Sequence, residues 1–170
     1  MKPSLLLLAP ALASTGIAGD IRLTIEVPQL DVGQYHRPYL AAWIEKPDQS
    51  HAANLIVWYD LENQKGETWL KDLRQWWRKS GRAADLPIDG VSGPTRPVGK
   101  HTLDIPAKQA PLPEGEYILV VEAAREVGGR EMIRIPFQWD GKTAVEASGS
   151  GKTEIGAVQL HIATTTNPEN

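Results

Sequence analysis

Cysteine is absent from all 170 residues of the chain. Disulfide bonds, thiolate-bound metals, iron–sulfur clusters and c-type haem attachment are therefore excluded. An excess of positive charge is also missing, because 18 basic residues stand against 21 acidic ones. The composition thus argues against a nucleic-acid partner, and the fold must be held together by its core alone.

Long apolar runs are missing as well, and the only sizeable one lies near the start. Leu5–Leu12 follows the positive charge of Lys2 and precedes small residues at Ala13 and Ala18. This order is typical of a secretory signal peptide, and the run is far shorter than the roughly 20 residues that span a bilayer. We expect residues 1–18 to be a signal peptide cleaved near Ala18, with cleavage after Ala13 as the alternative. The mature protein is expected in the periplasm without a membrane span.

The remaining chain, about 150 residues, suits one domain with a single core. We expect this domain at residues 19–163, followed by a flexible C-terminal tail at 164–170. Apolar and polar residues alternate in Ile21–Val27, the period-2 pattern of a half-buried strand. Six more segments have strand-like composition between turn-forming residues: Tyr39–Ile44, Leu55–Tyr59, His101–Ile105, Tyr117–Glu126, Arg130–Trp139 and Ile155–Ile162. The pattern predicts a mainly β protein, an antiparallel β-sandwich.

One stretch, TWLKDLRQWWRKSG, has helical rather than strand periodicity. It predicts a single amphipathic helix inserted between the strands, with an apolar stripe made of Trp69, Leu70, Leu73, Trp76 and Trp77. The tryptophans could form a surface that stacks on a ligand, but aromatic residues at helical spacing are more often core. The expected core comprises Leu23, Ile25, Trp43, Val57, Trp77, Leu119, Val121, Ile133, Ile135 and Leu160.

Two of the later strands are joined by a short turn that contains Gly128 and Gly129. The two glycines are expected to supply the positive φ angles of a tight hairpin turn. Charged residues crowd this tip: Arg125, Glu126, Arg130 and Glu131. They are expected to form cross-strand ion pairs near solvent, each worth about 0.2–1 kcal/mol, and a partner-docking site is the alternative.

Catalytic motifs are scarce. The segment SGSGKT at 148–153 has Glu146 where a phosphate loop needs glycine, and a strand-like segment follows it, so it is not expected to bind phosphate. The four histidines show no spacing typical of a metal site, and no G-x-S-x-G motif is present. Nothing indicates hydrolytic or metal-dependent catalysis, and a non-enzymatic role is favoured.

One motif stands out in a glycine- and proline-rich region. The segment DGVSGPT, residues 89–95, resembles the D-x-x-[S/T]-G-A-T signature at which a periplasmic flavin transferase joins FMN to a threonine. In this comparison Thr95 is the acceptor, Asp89 and Ser92 shape the loop through side-chain hydrogen bonds, and Gly93 leaves room for the transferase. Pro94 stands where the signature has alanine. An ordinary turn cluster is the alternative interpretation.

Four segments, RPYLAAWIE, TWLKDLRQWWRKSG, DGVSGPTRP and GEYILVVEAAREVGGREMIRIPF, together look like the predicted periplasmic family known as domain of unknown function 2271. The resemblance covers roughly residues 20–163. It implies an immunoglobulin-like sandwich and an association with flavin transferases and PepSY-type membrane reductases in iron-acquisition settings. It therefore suggests an electron-transfer accessory with FMN covalently attached at Thr95, and a non-redox binding module is the alternative.

Overall fold

The computed structural model describes residues 19–63 and 65–164. The predicted signal peptide and residues 165–170 of the predicted tail lie outside these ranges. The described residues form nine strands: β1 (Ile21–Val27), β2 (Tyr39–Glu45), β3 (His51–Tyr59), β4 (Ser92–Pro94), β5 (Gly99–Ile105), β6 (Gly115–Ala124), β7 (Arg130–Trp139), β8 (Val145–Ser150) and β9 (Ala157–Ile162). Their helical elements are α1 (Arg74–Lys79) and the 3₁₀ segments Gly66–Asp72 and Gly81–Ala83.

The strands form a four-stranded sheet in the order β5-β1-β9-β8 and a five-stranded sheet in the order β4-β3-β2-β6-β7. The mainly β prediction is confirmed, and the immunoglobulin-like detail is consistent with this arrangement. All neighbouring strands pair antiparallel except β4, which runs parallel to β3. All seven predicted strands are present, whereas β4 and β8 were not expected. The chain crosses from the five-stranded sheet to the four-stranded one between β4 and β5.

The main core lies between the two sheets and follows from the period-2 pattern. In β1 the side chains at 21, 23, 25 and 27 are buried, and those between them are more exposed. Eight of the ten expected core residues are buried, while Ile133 and Trp77 are only partly buried. Strand β6 is buried on both faces, because Leu119 and Val121 face the other sheet and Val120 faces outward under a second apolar cluster.

That second cluster covers the outer face of the five-stranded sheet. Leu70, Leu73 and Trp76 pack there against Trp43 and Tyr59. The predicted helix is present as α1 but is shorter than its sequence pattern, because the ψ angle of 71° at Leu73 separates a 3₁₀ segment from it. Leu70 lies in the 3₁₀ segment, Leu73 joins the two helical elements and Trp76 lies in α1, and all three side chains are buried against the sheet.

The tryptophans of this region therefore have different environments. Trp76 is fully buried, Trp77 is partly buried, and Trp69 is 55 % exposed. The core interpretation is thus correct for Trp76 and wrong for Trp69. No helix in the described part of the chain is long and apolar enough to cross a membrane.

Candidate functional site

The DGVSGPT segment lies at one edge of the five-stranded sheet. Its residues 92–94 form β4, in which Ser92, Gly93 and Pro94 pair with residues 57–59 of β3. The backbone N–H of Thr95 then donates to the Tyr59 carbonyl over 3.2 Å. The region expected to be a loop therefore contains an ordered edge strand, and Thr95 directly follows it.

Side-chain hydrogen bonds shape the start of this segment only in part. The Ser92 hydroxyl accepts the backbone N–H of Ile88 at 2.9 Å, and Gly90 has the positive φ of 69° that its turn requires. Asp89 is exposed, and its carboxylate makes no hydrogen bond within the described residues. The shaping role expected for both side chains is thus seen for Ser92 and absent for Asp89.

A cation and two aromatic rings lie beside Thr95. The Arg96 guanidinium carbon is 5.6 Å from the centroid of the Trp58 ring, and His101 meets the same ring edge-on at 5.7 Å. A side chain at Gly93 would come within 3.4 Å of Trp58. Nε of Arg96 is buried and has no hydrogen-bond partner among the described residues. The indole therefore holds a positive charge next to the threonine.

A cleft of about 570 Å³ opens on the outer face at the same end of the sheet. Tyr39 links the two regions, because it lines the cleft and its ring lies 6.4 Å from that of Tyr59. The lining consists of Arg37, Tyr39, Trp69, Asp72, Arg74 and residues 124–130 of the β6–β7 hairpin. Four of the nine arginines of the chain and none of its lysines are in this lining.

The ion pairs of the hairpin differ in part from the expectation: one pair is buried and leaves the hairpin, and the other is a cross-strand pair whose carboxylate is buried. Arg125 donates through Nε and Nη2 to Glu154 at 2.9 and 3.0 Å, and the two side chains are 5 % and 4 % exposed. Arg130 donates to Glu122, whose side chain has no exposed surface. The first pair connects the hairpin to the turn after β8, and the second is a cross-strand pair between β7 and β6.

The expected turn geometry is also wrong. The positive φ, 52°, falls on Val127 and not on Gly128 or Gly129. A Cβ at Gly128 would overlap the Arg125 guanidinium, and one at Gly129 would lie 2.7 Å from Oε1 of Glu154. The glycines are needed because the buried ion pair packs directly against the backbone.

Glu122 also caps helix α1 from a remote position. Its carboxylate accepts the backbone N–H groups of Gln75 and Trp76 at 3.0 and 2.9 Å. The helix has no cap of its own, because Leu73 occupies the N-cap position. A glutamate inside the apolar run YILVVEAA is the sequence signal that could have revealed this site, since a buried carboxylate needs partners.

The SGSGKT segment binds a carboxylate of this chain instead of a phosphate. Residues 148–150 belong to β8, and the turn after them donates the N–H groups of Lys152, Thr153 and Ile155 to Glu131 at 2.6–3.0 Å. Burial raises the pKa of Glu131, but these hydrogen bonds outweigh it and hold the pKa below its ordinary value. The turn thereby ties β7 to the other sheet.

No group of three or more metal-ligating side chains comes together within residues 19–63 and 65–164. The chain belongs to the family described as "Predicted periplasmic protein (DUF2271)", whose model matches residues 20–157. The resemblance stated from the sequence is thus confirmed, and the protein is periplasmic, as its N-terminal residues predict. Neither the curated proteins nor the solved structures that were compared with it give a match.

Proposed function

We propose that the protein is a flavin-carrying electron-transfer accessory of the periplasm, with FMN bound covalently to the hydroxyl oxygen of Thr95. The observation that carries the proposal is the position of the DGVSGPT segment. Its final residue, Thr95, directly follows β4, an edge strand of the five-stranded sheet. In the attachment step the Thr95 hydroxyl attacks the FMN phosphorus of FAD. A phosphoester forms, the pyrophosphate bond breaks, AMP leaves, and the hydroxyl proton is released.

The edge position supports access by a transferase. No strand of the described chain lies beyond β4 in its sheet, and Pro94 is exposed while Thr95 is partly exposed. The Thr95 hydroxyl makes no hydrogen bond to another described residue, so no protein contact has to be broken before it reacts.

The positive charge of Arg96 would stabilise the FMN-modified form of the protein. FMN attachment adds a negatively charged phosphodiester next to a guanidinium that the Trp58 ring holds in place. Arg96 forms no salt bridge with any carboxylate in the described residues. Guanidinium groups are strong partners for phosphate oxygens, and a fixed one loses little freedom when it binds.

A tethered flavin would supply redox chemistry to a β domain that has no thiol of its own. The proposed partners are a periplasmic flavin transferase that attaches FMN and a PepSY-type membrane reductase that reduces it. The reduced flavin would then pass electrons to an acceptor outside the cytoplasm, in an iron-acquisition or membrane-reductase system.

The experiment is co-expression with a periplasmic flavin transferase, followed by intact mass and flavin fluorescence of the denatured protein. We expect an FMN adduct on the wild type, none on Thr95→Ala, and partial modification of Thr95→Ser. Thr102→Ala is the matched control, because Thr102 is an exposed threonine on β5, the edge strand of the other sheet. A wild type without an adduct would overturn the proposal.

Pro94→Ala restores the residue of the flavin-attachment signature. If the proline ring obstructs the transferase, FMN occupancy rises in this variant; if the ring presets the backbone of the segment, occupancy stays level.

The second candidate is a non-redox binding module, and the arginine-lined cleft is the observation that favours it. A purified protein that stays colourless in the presence of the transferase would support this alternative. The cleft does not depend on flavin attachment, and its ligand chemistry can be argued separately.

A further inference from the structure

We infer that the cleft between Trp69 and the β6–β7 hairpin binds a small phosphorylated ring compound. Its volume, about 570 Å³, lies within the range of sites that enclose small organic ligands. This inference goes beyond the proposed function, because it concerns a non-covalent site on a different part of the sheet edge.

The lining has more hydrogen-bond donors than acceptors. Arg37 and Arg74 are exposed and form no salt bridge within the described residues. Arg130 uses Nε and Nη2 on Glu122, which leaves its remaining N–H groups available. The exposed carboxylates of the lining are only Asp72 and Glu126. A ligand rich in acceptor oxygens and negative charge, such as a phosphate monoester, matches this surplus.

The base of the cleft is rigid. Arg125 is clamped by Glu154, and Arg130 is held by a carboxylate that also caps α1. Both glutamates are buried, so their arginines have little freedom to turn toward solvent. A site whose side chains are already fixed loses less entropy when a ligand binds.

The wall of the cleft is apolar and fits a flat ring. Trp69 and Val127 are 55 % and 82 % exposed, and they are two of the four exposed large hydrophobic residues in the described part of the chain. Both line the cleft. Val127 is also the β-branched residue with a φ of 52°, an unfavourable conformation that tends to persist at functional sites. The Lys71 ammonium lies 5.9 Å from the centroid of the Trp69 ring, and the exposed part of this indole in the arginine-lined cleft suits stacking on an aromatic ring.

The test is titration calorimetry with two matched pairs of probes, FMN with riboflavin and AMP with adenosine. The protein is produced without any flavin transferase, so Thr95 stays unmodified and failure of the proposed function cannot affect the result. We expect saturable binding of at least one phosphorylated probe, and binding about tenfold weaker once its phosphate is removed. The pair that binds identifies the ring, flavin or adenine.

The variants locate the site. Arg37→Ala/Arg74→Ala should weaken phosphorylated-probe binding by about tenfold or more, and Trp69→Ala should weaken both members of the pair that binds. The matched control is Arg78→Ala/Arg82→Ala, which removes two exposed arginines outside the lining. Unchanged melting temperatures check that each variant folds. Absence of saturable binding up to about 1 mM, binding independent of the phosphate, or wild-type affinity in the double variant would each overturn the inference.

Discussion

The DGVSGPT segment and the arginine-lined cleft lie at the same end of one sheet, yet they are built in opposite ways. The DGVSGPT segment is local: its seven residues are consecutive, and its turn is closed by a hydrogen bond between Ser92 and Ile88. The cleft gathers residues from three separate parts of the chain, and buried glutamates from β6 and from the turn after β8 hold two of its arginines. A local site can be recognised as a sequence motif, whereas an assembled one becomes visible only in the fold.

The largest expected effect comes from removing the carboxylate that supports the cleft. Glu122→Ala takes away the acceptor for Arg130 and for two helix N–H groups, and it leaves a gap in a buried position. We expect the free energy of unfolding to fall by about 3–5 kcal/mol, measured by urea denaturation.

The control for this prediction is Glu126→Ala. Glu126 is an exposed glutamate of the same hairpin, and its loss should cost no more than about 0.5 kcal/mol. A similar fall in the free energy of unfolding in both variants would contradict this prediction. It would mean that the buried Glu122 carboxylate does not stabilise the cleft more than an exposed glutamate does.

This contrast also explains what the sequence could predict. The strands followed from apolar alternation, because a half-buried strand has that pattern wherever it lies in the fold. β4 was missed because its pairing with β3 involves three residues, two of them glycine and proline, which carry no strand signal.

The cleft could not be predicted for a related reason. Glu122, Glu131 and Glu154 accept hydrogen bonds from groups 21 to 47 residues away along the chain, and Glu122 also binds Arg130, 8 residues away. Periodicity gives the burial of such positions but not their partners. For this reason the sequence did not show that Arg125 pairs with the buried Glu154, and the positive φ of Val127 had no signal in the sequence.

The next largest expected effect is the pH-dependent stabilisation of the fold by Glu131. The folded-state pKa of Glu131 lies below its ordinary value of 4.5, so its ionised form favours folding. This stabilisation is complete above the ordinary pKa and is lost as the pH falls through the lower folded value. Glu131→Gln should therefore cost about 1–2 kcal/mol at neutral pH and flatten the fall of stability below about pH 4.5.

Denaturation at a series of pH values checks this prediction. Part of the acid-dependent fall should remain, because the pKa of buried Glu45 is also lowered: burial raises it, but the hydrogen bonds of Trp43 and Arg134 outweigh burial. The control is Glu116→Gln, an exposed glutamate of β6, which should leave the pH profile unchanged. A wild-type profile in Glu131→Gln would show that the turn after β8 does not stabilise the fold through this carboxylate.

The smallest expected effect on stability concerns Val127, at the rim of the cleft. Val127 has a positive φ and is 82 % exposed, so its conformation costs about 1–2 kcal/mol while its side chain buries little. Val127→Gly should relieve this strain, and the greater freedom of glycine in the unfolded chain should offset part of the gain, leaving the variant more stable by about 0.5–1 kcal/mol. Val127→Ala is the control, because alanine keeps the strained φ and should give no gain. If the apolar rim serves a ligand, the more stable Val127→Gly should also bind the phosphorylated ring probe more weakly. If Val127→Gly is no more stable than the wild type, the positive φ of residue 127 does not lower the free energy of unfolding.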